Sequence, residues 1–302
     1  MEGFIGLTRR NVKIYFKDIY SVIFSLLTSM IVFALYMLFL RGTFVSAIEN
    51  TMMGLDSLIN KSDTDMFVNC ILLIGILGSA TITIPYNCLM TIVKDRERKV
   101  DFDILATPVK RWQIILSYLV SAVISSFAMT AFLLTLGLII LSFMGNLHIT
   151  ALSVLAAYGV VFLGCLSSSA LFMTVVLFFK SSSASAAFFG ILSAAAGFVI
   201  GAYIPISQFS SGIQTFCNIF PASQVCALLR HVLLGGITDA MNESIGGVDN
   251  GLFIGEIQKA MTFNASIFGH TLPVNAMCIY IVVFTALCLG AMVFLYTKVY
   301  KK

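Results

Sequence analysis

Between Gln113 and Phe179 the chain runs for 67 residues without a Lys, Arg, Asp or Glu. Such a run belongs in a bilayer, and it is long enough to cross one twice. By the same criterion six apolar segments reach the roughly 20 residues that a hydrocarbon core demands. They are about Ser21–Leu40, Phe67–Val93, Ile114–Met144, Ala151–Phe179, Ala186–Ile204 and Val274–Tyr296. The second, third and fourth are longer than needed and are expected to tilt or project beyond the membrane. Pro85 predicts a kink in the second. Ahead of the first, Phe4–Tyr20 intersperses Phe4, Ile5, Leu7, Val12, Ile14, Tyr15, Phe16 and Ile19 with Arg9, Arg10, Lys13 and Lys17. That pattern predicts an amphipathic helix lying in the interface, with an ordinary basic flank as the plainer alternative. The first apolar segment is too long for a signal peptide and is followed by Arg41-Gly42-Thr43, so it reads as a retained helix.

Composition and charge sharpen this into an all-α polytopic membrane protein. The chain is 59% hydrophobic and 11% charged, against about 25% charged in a soluble domain. With the N-terminus inside, fourteen of the eighteen basic residues fall on cytoplasmic segments. Only Arg41, Lys61, Arg230 and Lys259 map outside, so both termini are expected in the cytoplasm, in the cell membrane. The basic residues are not gathered into a nucleic-acid surface, and no nucleic-acid partner is expected. One transmembrane domain over residues 1–302 is the expected organisation, with residues 205–273 forming the last outside segment. At about 70 residues that segment is too long to be featureless.

Two loops carry the remaining information. The cytoplasmic loop, residues 94–112, presents Asp95, Glu97, Asp101 and Asp103 among basic groups, then Ile104-Leu105-Ala106 and Thr107-Pro108. A short helix stopping before Pro108 is expected, because a residue preceding proline disfavours helical geometry. The mixed charge suits docking onto a soluble partner; a solvated turn that merely anchors topology is the alternative. On the outside, Ile206, Phe209, Ile213, Phe216 and Phe220 recur at helical spacing. They predict either a partly embedded helix or a surface helix packed on its own domain.

Catalytic chemistry is missing. There is no Gly-x-x-x-x-Gly-Lys-Ser/Thr phosphate loop in the 302 residues. The seven cysteines and three histidines have no metal-ligand spacing, so no metal site and no cofactor bound by this chain are expected. No ionisable residue lies well inside an expected span, which argues against an ion-coupled carrier. The mild polar residues Thr81, Thr83, Asn87 and Ser193 are candidates for a pathway lining, or simply bond their own helices. Gly190, Ala194, Gly197 and Gly201 permit close helix approach on the fifth span.

Asp95-Arg96-Glu97, Ala106-Thr107-Pro108-Val109 and Arg111 resemble the acidic-Arg-Glu … Ala-Thr-Pro-Val … Arg pattern of ABC-2 type transporter permeases. Gly201-Ala202-Tyr203-Ile204-Pro205, Phe220-Pro221 and Arg230 through Gly235-Gly236 are similar to that family's segment after the fifth span. The chain departs from it at Lys99-Val100, where the family often has Gly-Thr, and at Ser117-Tyr118, where it often has Gly-Lys. The resemblance implies a coupling helix between spans two and three that seats in an ATPase. Its residues would be Asp95, Arg96, Glu97, Asp101, Asp103, Thr107, Pro108 and Arg111. It also implies a re-entrant helical hairpin after span five, with Pro205, Phe209, Ile213, Phe216, Phe220 and Pro221 at an outer gate. The second and fifth spans would face the pathway.

The partners implied are two copies of a separate ATPase subunit, which bind the ATP and Mg, and a second permease, identical or different. The cargo would be an amphipathic or hydrophobic compound such as a drug, antibiotic, peptide or lipid-linked molecule. A non-transporting immunity or sensor subunit on the same scaffold remains open. An intramembrane enzyme would need a convergent set of acid, nucleophile or metal ligands that the chain lacks.

Overall fold

The computed structural model describes residues 2–35, 60–145, 147–246 and 252–299, with Phe39, Gly42, Val45, Ser46 and Ile48 besides. Most of the acidic outside loop expected between the first two spans therefore lies outside the described residues. The chain is mostly helical. Helix α1 (Glu2–Lys17) meets α2 (Ile19–Leu35) at Asp18. Asp18 caps α2 by accepting from Ser21 N at 3.2 Å and Ser21 Oγ at 2.7 Å, which satisfies donors that a helix start leaves open. The bend between α1 and the first part of α2 is 70°. The corner falls at Asp18, so Ile19 and Tyr20 of the expected interfacial segment lie on α2.

Among the described residues five helices are long and apolar enough to cross a membrane: α3 (Lys61–Glu97), α5 (Arg111–Met144), α6 (Ala151–Val176), α7 (Ser182–Val199) and α11 (Val274–Val299, apolar to Tyr296). Helix α2 lies on the first expected span and reaches that apolar length only when joined to α1 across the bend. Between α3 and α5 sits the short α4 (Val100–Leu105). Helix α3 is the axis of the bundle, with 94% of its apolar window buried, against 17% in α7 and in α11. Its neighbours therefore turn their outward apolar faces to lipid, which costs nothing in a bilayer.

The fifth span ends earlier than expected. Its helix stops at Val199 rather than Ile204 because Gly201 adopts φ +68°. Ala202 N then donates to Gly197 O at 2.8 Å, the closure typical of a glycine just past a helix end. A Cβ on Gly201 would meet Ile206 Cγ1 at 2.8 Å.

After a 3₁₀ turn at Ile206–Gln208 come α8 (Ser211–Ile219) and α9 (Pro221–Ile245), bent by 92° at Phe220. Pro221 suits a first helical position, where its missing N–H leaves no orphan. Close approaches set the depth of α9. A Cβ on Gly164 of α6 would stand 3.0 Å from Val225 and 3.2 Å from Thr81, and one on Gly78 only 2.2 Å from Cys226 Sγ. Eleven residues beyond Val225, Gly236 lies against His148 O in the turn between α5 and α6. Helix α9 thus starts level with the middle of α3 and climbs to the end of the bundle where α5 turns into α6.

Beyond α10 (Leu252–Ala260), strands β1 (Ser266–Ile267) and β2 (His270–Thr271) pair antiparallel, Ser266 opposite Thr271. Asn218 ties this hairpin to the bend. Its Nδ2 donates to Ser266 O at 2.8 Å, its Oδ1 accepts from Ser223 Oγ at 2.7 Å, and its carbonyl accepts from Gln224 Nε2 at 2.9 Å. Arg230, expected in an outside loop, is instead buried within α9 at 5% exposure. Its guanidinium donates to Thr262 O at 2.9 Å and Ile200 O at 3.3 Å. Those carbonyls compensate a charge that the long loop of the sequence gave no reason to bury.

Candidate functional site: the loop between α3 and α5

The loop begins where α3 leaves the bundle, and Asp95, Arg96 and Glu97 each secure a different segment. Asp95 is 7% exposed. Its Oδ2 accepts from Arg10 Nη1 at 2.7 Å and its Oδ1 from Arg10 Nη2 at 2.9 Å, a bidentate pair with α1. Tyr118 of α5 donates its hydroxyl to the same carboxylate at 2.6 Å. The hydrogen bond to Asp95 holds the Arg10 guanidinium above its ordinary range, against the opposing effect of burial. Arg96 donates to Leu177 O at 2.8 Å and Phe179 O at 2.9 Å, where α6 has run out of intrahelical donors. Glu97 accepts from Ser182 N at 3.2 Å and also from the Ser182 hydroxyl, placing a carboxylate at the start of α7.

Lys94 adds a fourth tie, 2.8 Å from Asp18 Oδ2 at the corner between α1 and α2. The Lys94 ammonium, with help from Ser21, pulls the Asp18 carboxyl down to about 2.

Past Glu97 the chain breaks at Lys99, which sits at φ +62° in the left-handed region that favours glycine. This is one of the two places where the sequence departs from the Gly-containing pattern. Helix α4 follows, anchored by the buried Ile104 and closed by Thr107 Oγ1 donating to Ile104 O at 2.6 Å. Asp101 faces inward, bordering a small gap with Ile92, Ile114, Tyr118 and Tyr296. The outward side is different. Phe102 is 64% exposed, and Asp103, Ala106, Thr107 and Pro108 are exposed beside it, with Arg111 and Trp112 at the start of α5. Val109 rests against Gly3, where an added Cβ would be 2.6 Å away. The loop therefore has a clamped root and a projecting tip.

The family model of ABC-2 family transporter proteins matches residues 10–296. The chain belongs to the ABC-2 family. It is a multi-pass membrane component of a transporter, of a family that works with an ABC ATPase and is not itself catalytic. No curated protein matches it significantly. Within the ABC-2 frame, the expected coupling residues divide into two sets, with Asp101 in neither because it borders the inner gap. Asp95, Arg96 and Glu97 bind other helices of this chain, while Asp103, Thr107, Pro108 and Arg111 stand on the exposed tip. Phe102 and Trp112, the large apolar groups of that tip, were absent from the expected set. Their signal was available: large aromatics among charges in a loop between two apolar segments.

Of the expected outer-gate residues, Phe216, Phe220 and Pro221 line an apolar cavity of about 320 Å3 with Ile82, Phe172 and Phe188. Pro205 is buried, Phe209 half-buried and Ile213 exposed, none of them on that wall. Of the expected pathway residues, Thr81 and Thr83 are wholly buried and return their hydroxyls to Gly78 O and Ser79 O. Ser193 is half-buried on α7. Asn87 borders an open groove of about 660 Å3 with Asp18, Ser21, Phe24, Leu27, Ile31 and Phe189. Among the described residues no group of three His, Cys, Asp or Glu could hold a metal.

Proposed function

We propose that this chain is the permease subunit of an ATP-driven exporter of an amphipathic or hydrophobic compound, and that α4 is the element its ATPase pushes. The observation that carries the reading is the division of the loop into clamped root and exposed tip. A tip bearing Phe102, Asp103, Thr107 and Pro108 offers an apolar anchor ringed by polar groups, the composition of a docking hot spot. A root tied to α1, α5, α6 and α7 carries any displacement of that tip into four helices at once.

The walls of the two cavities support this cargo class. The one under Phe220 and Pro221 is lined almost wholly by apolar side chains, Ser168 being the polar exception. The groove at Asn87 adds polar groups at its cytoplasmic end, and Asp18, its ionised wall residue, is already matched by Lys94. Neither wall offers uncompensated charge, so a lipophilic or amphipathic molecule suits them better than an ion. Two such permeases and two ATPases would complete the pathway.

The test is affinity capture of the tagged chain in mild detergents. Wild type is expected to bring down an ATPase, and Phe102→Asp and Asp103→Lys to lose most of it. Lys13→Ala, on the exposed face of α1, should recover it unchanged. Equal recovery with the α4 variants would remove α4 from the interface, and no ATPase from wild type would remove the motor altogether.

A further inference from the structure

Helix α7 is held by its ends. At its start the Glu97 carboxylate accepts from the backbone N–H and the hydroxyl of Ser182. At its finish the Arg230 guanidinium donates to Ile200 O at 3.3 Å. An anion at the N-terminus and a cation at the C-terminus both complement the helix dipole. Between these ends it is held chiefly along one side. Only 17% of its apolar window is buried. Its main seam is with α3, where Tyr86 donates to Ser185 O at 3.0 Å and stacks on Phe189 at 5.6 Å.

The end groups belong to different parts of the molecule. Glu97 is the last residue of α3, three residues before α4 begins. Arg230 is on α9, and the same guanidinium holds Thr262 O in the segment leading to the β-hairpin. The 18 residues of α7 place these anchors about 27 Å apart at 1.5 Å per residue. Just past Ile200 the backbone turns at Gly201, so α7 ends where Arg230 reaches its last carbonyl.

We infer that Glu97 and Arg230 are positioning residues that make α7 a strut between the cytoplasmic loop and the α8–α9 pair. Displacement of the loop by the ATPase is delivered through α7 to the outer side, with neither residue touching cargo. This rests on the ATP-driven reading above.

Electron–electron distance measurements on the full chain, reconstituted with its captured ATPase, test it. Cys278 and Cys288 are replaced by serine, the other five cysteines being buried. One label pair, Arg98→Cys with Phe178→Cys, reports the loop; the other, Leu152→Cys with Phe268→Cys, reports the hairpin at the outer end. All four native residues are exposed. ATP is expected to shift both distances in the otherwise wild-type chain. With Glu97→Ala or Arg230→Met the inner shift should persist, which also shows that the variant is folded. The outer shift should fall below half, and Arg230→Lys should restore part of it. An undiminished outer shift in both variants overturns the strut alone. A silent inner pair in the otherwise wild-type chain overturns the coupling reading and the strut with it.

Discussion

The pair between Arg10 and Asp95 gives the most exacting test of how α1 is held. Arg10→Met removes both charge-assisted bonds, at 2.7 and 2.9 Å, and leaves the Asp95 carboxylate with the Tyr118 hydroxyl. The carboxylate cannot escape to water, since its side chain is 9% exposed, whereas Arg10 is 32% exposed and recovers some hydration when its partner is lost. Breaking a fully buried pair from one side costs about 3–5 kcal/mol, and the partial exposure of Arg10 scales this to about 2–3 kcal/mol. Asp95→Asn leaves a less buried charge and should cost about 1–2 kcal/mol. The double variant Arg10→Met with Asp95→Asn strands no ion, so it should be no worse than Arg10→Met alone. The assay is amide hydrogen exchange along α1 in nanodiscs. A loss of about 2–3 kcal/mol speeds local opening about 30- to 150-fold. Lys13→Met, on the exposed face of the same helix, serves as control. Exchange in Arg10→Met no faster than in the control, or strictly additive losses in the double variant, would refute the claim that this buried pair seats α1.

Three further outcomes are expected. Lys99→Gly relieves a left-handed backbone at φ +62° and should stabilise the chain by about 0.5–1 kcal/mol, read as a higher melting midpoint by Trp112 fluorescence. The Asp18–Lys94 pair should make stability acid-sensitive. The folded carboxyl titrates at about 2, below its unfolded value of about 3.9, so the stabilisation is full above about pH 4 and is lost as pH falls through about 2. With Asp18 33% exposed the effect is about 1 kcal/mol, and Lys94→Met should flatten stability across that window. Gly236→Ala and Gly235→Ala form a matched pair: the first puts a Cβ 1.9 Å from His148 O, the second meets nothing within 4 Å. Thermal unfolding should show the first destabilised by about 3 kcal/mol or more and the second unchanged or stabilised by up to about 1 kcal/mol.

Spans could be read from the chain because a bilayer imposes a one-dimensional rule: about 20 apolar residues, whatever their neighbours. That rule located α3, α5, α6, α7 and α11 without tertiary information. The break before Pro108 was equally local, and α4 ends ahead of it. The helical spacing of Ile206, Phe209, Ile213, Phe216 and Phe220 was followed only in part: α8 holds Ile213 and Phe216, while Ile206 and Phe209 belong to the 3₁₀ turn and its end and Phe220 to the bend. The end of α7 was missed because apolar residues continue past Gly201, and hydropathy is blind to a positive φ.

What only the tertiary structure decided is where each charge spends itself. Asp95, Arg96 and Glu97 read from sequence as one acidic-basic cluster facing a partner. Folded, they face three ways, to Arg10 and Tyr118, to the end of α6 and to the start of α7. Arg10 is 85 residues from Asp95, and Arg230 is 30 from Ile200. No period or spacing links residues so far apart. A segment's hydrophobicity selects its solvent by itself, but a charge is satisfied only by a partner that the fold brings to it.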